Sequence, residues 1–294
     1  MASTDETSTA RPSARTIALT ACAMLAFAGN NLLCRLALAH DAIDPASFTL
    51  LRLAAGAATL WLLLRSGGPA RSIQGSWQGA AALLTYAFAF SCAYVTLSAG
   101  TGALLLFGAV QITMIATGLA KGERLAAIQW VGFASALAGF AVLVSPGLAR
   151  PEPAGAVLMI VAGLAWGAYS LLGRGVRDPL ADTAGNFLRS VPAIAALWAV
   201  AAVLGLNFTW AGVAWALLSG AVTSGLGYTI WYAALPGLSR AQSSSVQLSA
   251  PVITAAIGVF VLSEPVTLRL AIASIAILGG IALVVAYGGR RGPT

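Results

Sequence analysis

The side chains that carry most enzyme chemistry are scarce in the apolar stretches of this chain. The only histidine is His40. All carboxylates lie in tails, in loops or at the edges of apolar runs, at Asp5, Glu6, Asp41, Asp44, Glu123, Glu152, Asp178, Asp182 and Glu264. A nucleophile and its base, a carboxylate pair or a metal site needs such groups close together. The sequence therefore predicts no catalytic residue, no metal site and no cofactor, and it argues against an enzyme.

Amides, hydroxyls and aromatic rings are the polar groups that do lie deep in the apolar runs. Three runs each place three of them at spacings of three or four residues, which share one helix face. These residues are Phe27, Asn30 and Asn31; Tyr86, Phe90 and Tyr94; and Trp166, Tyr169 and Ser170. Further candidates at similar depth are Gln111, Tyr228, Trp231, Ser244 and Gln247.

Such a set has two interpretations. Aromatic residues often form interfacial belts, and amides or hydroxyls often only join helices. When several segments place such faces at the same depth, however, their polar groups must meet each other or water. We therefore predict a central binding cavity lined by the first, third, fourth, sixth, eighth and ninth apolar segments.

Composition indicates what holds these residues. Hydrophobic residues make up 59% of the chain and charged residues 9%, against roughly 45 to 50% and 25% in soluble domains. Apolar runs of about 20 residues, enough to cross a bilayer as helices, fill most of the sequence. The fold class predicted is an all-α integral membrane protein. The formal net charge of +7 is spread over the loops, so no nucleic-acid partner is expected.

The apolar runs predict ten transmembrane helices. They lie at about 16–39, 46–65, 76–98, 101–120, 125–145, 154–173, 184–204, 210–233, 240–262 and 266–287. The sequence LAFAGNNLLCR at 25–35 returns as LAWGAYSLLGR at 164–174, and later segments match in the same way. The expected organisation is a tail (1–15), a five-helix repeat (16–148), a linker (149–153), a second five-helix repeat (154–287) and a tail (288–294).

An odd number of helices per repeat inverts the second copy relative to the first. With the N-terminus inside, outer segments hold two basic residues, Arg150 and Arg269, and inner segments hold eleven. The eleven are Arg11, Arg15, Arg65, Arg71, Lys121, Arg124, Arg174, Arg177, Arg240, Arg290 and Arg291. This bias predicts that both termini are cytoplasmic. Membrane lipid is then an expected partner, and no obligate protein partner is inferred.

Arginines near helix ends are candidate gates. They are Arg35, Arg52, Arg174 and Arg189. Snorkelling of these long side chains to the headgroups is one interpretation. The other notes that Arg52 and Arg189 are repeat equivalents, each following an aspartate, Asp44 or Asp182, and that such pairs would open and close with transport. Glu123 and Glu264, also repeat equivalents, are expected to cap the helices that follow them.

The whole chain resembles the drug/metabolite transporter superfamily, in its ten-helix EamA-like branch. The resemblance is carried by YVTLSAGTGALLLFGAV from Tyr94, by GER at 122–124, and by WYAALPGLSRAQSSSVQLSAPVITAAIGVFVLSEP ending at Pro265. The first copy departs from the pattern, with Gln111 and Ile112 where a proline is expected. Within the branch the chain is most similar to bacterial aromatic amino acid and paraquat exporters. The resemblance implies export across the bacterial inner membrane.

These observations favour a carrier over a channel or a purely structural bundle, because an inverted repeat around a polar cavity is typical of alternating access. The cargo that the resemblance implies is aromatic and other neutral amino acids, with broad specificity, and neutral hydrogen-bonding groups and aromatic walls suit such zwitterions. The alternative is export of cationic or hydrophobic drugs such as paraquat. Proton-driven carriers commonly hold an ionisable acid or histidine within the membrane, and none lies at mid-depth here. We therefore expect a facilitator without proton coupling.

Overall fold

The structure, a computed structural model, describes residues 12–39, 41–66, 72–122, 124–145, 151–173, 176–238, 243 and 246–288. These residues form helices and short connections, with no β-strand among them. The helices are α1 (Ala14–Leu38), α2 (Pro45–Ser66), α3 (Trp77–Tyr94), α4 (Ala99–Ala120), α5 (Ala127–Val144), α6 (Pro153–Leu172), α7 (Pro179–Leu204), α8 (Trp210–Leu218), α9 (Gly227–Ala234), α10 (Ser249–Leu262) and α11 (Leu268–Gly288).

Side-chain caps set where most of these helices begin. The hydroxyls of Ser13, Ser76, Ser98 and Thr209 each accept a backbone N–H of the first helical turn. At α2, α6 and α7 an acidic residue precedes a proline at the first helical position, and its carboxylate accepts a backbone N–H two or three residues further on. The hydroxyl caps and the carboxylate caps both provide hydrogen-bond acceptors for N–H groups that the start of a helix leaves unpaired.

A π-helical segment (Ser219–Leu226) joins α8 to α9, so that the chain from Trp210 to Gly237 is continuous helix. π-helical turns are rare and often lie at functional sites. α2 packs closely on this segment, because a Cβ added at Gly220 would overlap the Arg52 carbonyl. The close approach brings the π-helical segment against the centre of the bundle.

The two halves of the chain complete each other's core. α1 packs on α8, the π-helical segment, α9 and α10, all from the second half. α6 packs in the same way on α3 and α4, and α2 packs on α7. α5 and α11 pack on each other outside this core, where a Cβ added at Gly132 would lie 2.5 Å from the Gly280 carbonyl oxygen.

Eight helical segments of the described residues are long and apolar enough to cross a membrane. α3 and the shorter α10 occupy the positions of two further predicted spans. Large apolar side chains such as Trp130, Ile275 and Phe260 are exposed on the outside of the bundle, as they would be against lipid. The chain is therefore a multi-pass helical membrane protein. The count of ten spans and the inverted repeat remain predictions.

Three boundaries differ from the sequence prediction. α7 begins at Pro179, five residues before the predicted 184, because Asp178 caps it and proline fits its first position. α3 ends at Tyr94 rather than 98, since Ser98 caps α4. The predicted span 240–262 lies partly outside the described residues, and its described helix, α10, is Ser249–Leu262.

Candidate functional site

Nine aromatic rings form one continuous cluster inside the bundle. Neighbouring centroids lie between 4.7 and 6.1 Å apart. This ring cluster consists of Phe27, Tyr86, Phe90, Tyr94, Trp166, Tyr169, Phe187, Tyr228 and Trp231. Its members come from α1, α3, α6, α7 and α9, so both halves of the chain build it.

Trp166 lies at the centre of the ring cluster. Its ring centroid is 4.7 Å from that of Tyr86, 5.3 Å from Tyr169 and 5.5 Å from Tyr228, with which it stacks at an interplanar angle of 29°. Offset and edge-to-face arrangements are favourable for aromatic pairs by about 0.5 to 1.5 kcal/mol each. A flat apolar or aromatic ligand would pack against these rings in the same offset or edge-to-face arrangements.

A polar network crosses the ring cluster at Tyr86. The Arg52 guanidinium donates from Nη2 to the Tyr86 hydroxyl oxygen at 3.0 Å, and Asn30 Nδ2 donates to the same oxygen at 3.5 Å. Asn30 Oδ1 in turn accepts from the hydroxyls of Ser219 and Thr223 at 2.7 and 3.2 Å. The network therefore joins α1, α2 and α3 to the π-helical segment.

A second polar contact orders the other end of the ring cluster. The Tyr94 hydroxyl donates to Asn31 Oδ1 at 2.7 Å, and Asn31 Nδ2 donates to the Phe27 carbonyl at 2.8 Å. Both partners are buried. Asn30 and Asn31 thus hold two different tyrosines of α3 against α1.

Among the described residues, Arg52 is the largest fully buried side chain, with 1% of its surface exposed. Its Cζ lies 5.2 Å from the Tyr86 ring centroid and 5.1 Å from that of Phe90. Nε and Nη1 have no hydrogen-bond partner within the described ranges. Snorkelling is therefore excluded for Arg52, and the guanidinium belongs to the buried site.

An ion pair ties together several chain segments beside the end of α3. Arg35 Nε lies 3.1 Å from Glu264 Oε1, and Arg35 Nη1 donates to the carbonyls of Tyr94 and Val95. Glu264 Oε2 accepts the Ala99 N–H at 2.8 Å. Glu264 was expected to cap the helix that follows it, but it caps α4, while the Thr267 hydroxyl accepts the Leu270 N–H near the start of α11.

The predicted aspartate–arginine pairs do not form. Asp44, eight residues before Arg52 in the chain, accepts the backbone N–H groups of Ser47 and Asn207. Asp182 accepts from Asn186, while Arg189 donates to the Gln74 carbonyl. Asp44 therefore joins the α1–α2 turn to the α7–α8 turn. Arg189 joins the segment before α3 to α7.

Several predicted site residues belong neither to the ring cluster nor to the polar networks described above. Ser170 and Gln247 donate to carbonyls four residues earlier in the chain, Trp166 and Ser243, and Gln111 is buried within α4. Ser244 and Arg174 lie outside the described residues, as do His40 and Glu123.

The sequence reasoning missed Phe187, Ser219 and Thr223. The sequence signal for Ser219 and Thr223 is their four-residue spacing in an apolar run that already contained Tyr228 and Trp231. Phe187 carried a weaker signal, because it is one apolar residue among many in α7. Its ring lies 6.1 Å from that of Tyr228.

Two clefts open at opposite ends of the bundle. One, of about 680 Å³, lies where α7 begins and α9 ends, against Asp178, Thr229 and Tyr232. The other, of about 220 Å³, lies between the α3–α4 turn and the segment before α11, against Thr96, Glu152 and Pro265. The Arg35–Glu264 ion pair is at the end with the smaller cleft. Histidine, cysteine and acidic residues form no metal-binding group within the described ranges.

Comparison with known proteins gives three findings. Residues 153–286 match the sequence model of the EamA-like transporter family. The chain is 56% identical over 276 residues to "Uncharacterized protein PA1977" of Pseudomonas aeruginosa, and the alignment covers 94% of this chain and 96% of that relative. A solved structure described as "Crystal structure of protein" shares 20% identity at a TM-score of 0.64, covering 96% of this chain and 100% of the solved one. That last likeness concerns the fold alone.

Proposed function

Because the chain belongs to the EamA-like transporter family, within the drug/metabolite transporter superfamily, we propose that it exports amino acids across the bacterial inner membrane. The cargo is aromatic and other neutral amino acids, bound with broad specificity. The observation that carries this proposal is the ring cluster with a buried polar network through it. Aromatic walls accept an apolar side chain, while the amide, hydroxyl and guanidinium groups accept the polar ends.

Alternating access is the proposed mechanism, with ten helices in two inverted repeats. The packing supports it. The repeat equivalents of α6 and α3 are α1 and the α8–α9 stretch, and both of these pairs are in contact. The contacts of α2 with α7, α4 with α10 and α5 with α11 each join a helix to its own repeat equivalent, as two-fold related repeats require. Inverted repeats of this kind rock about a site at their interface, and the ring cluster lies at that interface.

We propose that the conformation described is an inward-facing state, closed on the periplasmic side. With the N-terminus in the cytoplasm, α3 ends on the outer side, where the Arg35–Glu264 ion pair ties α1, the α3–α4 turn and the segment before α11 together. The larger cleft, of about 680 Å³, then faces the cytoplasm. Opening the outer side requires the ion pair to break.

Cationic drugs such as paraquat are the alternative cargo. Electron-rich ring faces attract cations, which favours this alternative. The fully buried Arg52 opposes it, because the guanidinium lies against two of the same rings, those of Tyr86 and Phe90. A dication would be repelled where it must bind, so amino acids are the better proposal.

The experiment uses the purified full chain in proteoliposomes. Uptake of radiolabelled L-phenylalanine should saturate, should exceed that of protein-free liposomes, and should be inhibited by other neutral amino acids more than by paraquat. Saturable paraquat uptake without amino acid uptake would transfer the proposal to drug export. An imposed pH gradient should not drive accumulation above equilibrium. Gradient-driven accumulation abolished by a protonophore would refute the facilitator proposal.

A further inference from the structure

Arg52 is a charged group held where a membrane protein rarely tolerates one. It lies seven residues after Pro45, the first residue of α2, and thus about 10 Å along the helix axis at 1.5 Å per residue. Its side chain is fully buried rather than directed to the helix end. Ionisable residues at such depth are costly and are commonly retained for a function.

The protein leaves much of this guanidinium unpaired. Nη2 is bonded to the Tyr86 hydroxyl, and Nε and Nη1 have no hydrogen-bond partner in the part of the chain that the structure describes. Among the described carboxylates, Asp44, Asp182 and Glu264 bond to other groups, and none forms an ion pair with Arg52.

The guanidinium forms no ion pair with a described carboxylate. Its strongest electrostatic neighbours among the described ionisable side chains are Tyr86, Tyr228 and Cys34, and none of these is a carboxylate. The nearby faces are the rings of Tyr86 and Phe90. A buried cation with donors left unbonded and no carboxylate beside it among the described residues lacks a counter-ion.

Resting on the proposed transport function, we propose that Arg52 is the binding group for a substrate carboxylate, so that the cargo class is monocarboxylates with an apolar or aromatic body. Nε and Nη1 supply N–H donors to the carboxylate. The Tyr86 hydroxyl adds another, because it accepts the bonds from Arg52 and Asn30 and donates its own proton to none of the described residues. A single guanidinium matches the single charge of a carboxylate and forms charge-assisted hydrogen bonds with it.

The ring cluster completes the selection. Phe90 and Tyr86 flank the guanidinium, and the Trp166 ring centroid lies 4.7 Å from that of Tyr86. A carboxylate at Arg52 therefore places the body of the ligand among the rings. The ammonium group of an amino acid is tolerated against ring faces but is not required, so the carboxylate decides recognition.

The test compares three ligands that differ in one group, using thermal unfolding of the full chain in lipid nanodiscs and flux in proteoliposomes. L-phenylalanine and 3-phenylpropionate should each raise the Tm, and phenethylamine, which lacks the carboxylate, should not. R52Q should weaken the binding of L-phenylalanine and of 3-phenylpropionate by roughly 30-fold or more, as expected for loss of a buried charge partner. R52K should lose less than R52Q, and R65Q, which alters an exposed arginine of the same helix, should behave as wild type.

The outcomes separate this inference from the transport proposal. If phenethylamine is transported and binds as well as L-phenylalanine, Arg52 is not a carboxylate site, while transport stands. If none of the three ligands shows saturable flux, both proposals fail. The ligand series on the wild-type protein decides the question even where an Arg52 variant does not fold.

Discussion

Arg35 Nε and Glu264 Oε1 lie 3.1 Å apart, although 229 residues separate them in the chain. The pair does more than join two charges. Arg35 also binds the carbonyls of Tyr94 and Val95, and Glu264 caps α4 through the Ala99 N–H. One ion pair thereby fixes the end of α3, the start of α4 and the segment before α11 to the last turn of α1.

Breaking this ion pair should loosen that end of the bundle. E264Q keeps the size of the side chain but removes the charge, and it should lower the free energy of unfolding by about 1.5 to 3 kcal/mol, the range for hydrogen bonds to charged groups. It should also favour the outward-open state. Spin labels at V95C and V266C, two exposed positions at this end, should then show longer distances. An unchanged distance distribution would contradict the gating role, and R65Q is the control for loss of a charge elsewhere.

The contact between α2 and the π-helical segment should tolerate no extra methyl group. G220A places a Cβ against the Arg52 carbonyl and the Ala55 side chain. We expect a loss of about 1 to 3 kcal/mol, as for overpacking in a close-packed interior, together with lower flux, because the shift reaches Arg52. G279A is the matched control, since a Cβ there meets nothing within 4 Å. Equal stability of the two variants would show that the close approach is unimportant.

Trp166 should contribute to cargo binding through its ring. W166A removes the residue that contacts three other members of the ring cluster. Loss of one stacking partner should raise the KM for L-phenylalanine by roughly 3- to 10-fold. W130A alters an exposed tryptophan of α5 and should leave the KM unchanged. A KM for W166A equal to that of W130A would mean that the ring cluster serves packing alone.

Sidedness tests the inverted topology. In a background without Cys22, Cys34 and Cys92, a cysteine at S72C should react with membrane-impermeant reagents only from the cytoplasmic side. One at V266C should react only from the periplasmic side. Both positions are exposed outside the helices. The inverted topology places an odd number of membrane crossings between these two positions. Labelling of both from the same side would mean an even number and would contradict the inversion.

The sequence predicted the helices well because apolar run length and caps are local signals. α2, found at Pro45–Ser66, was expected at 46–65, and α6, found at Pro153–Leu172, at 154–173. Helix faces were also predictable from local spacing, because Phe27, Asn30 and Asn31 all make ring contacts or hydrogen bonds within the site. Regular spacing on one helix is sufficient for that inference.

Partners across the bundle were beyond the reach of local patterns. Asp44 was expected to pair with Arg52, but a carboxylate just before a helix is drawn to the free N–H groups of its first turn, here that of Ser47. Arg52 was treated as a helix-end residue because its distance from the apolar boundary is short. Its burial depends on where Tyr86 and Phe90 of α3 lie, which only tertiary packing determines.

Counterflow most directly tests whether this chain is an alternating-access carrier of carboxylates. Proteoliposomes loaded with unlabelled 3-phenylpropionate are diluted into a trace of labelled L-phenylalanine at equal pH on both sides. We expect the label to accumulate transiently above its external concentration, because each returning binding site carries it inward, and R52Q should abolish the overshoot. Entry of label that only approaches equilibrium, at a rate unaffected by the internal carboxylate, would contradict the account.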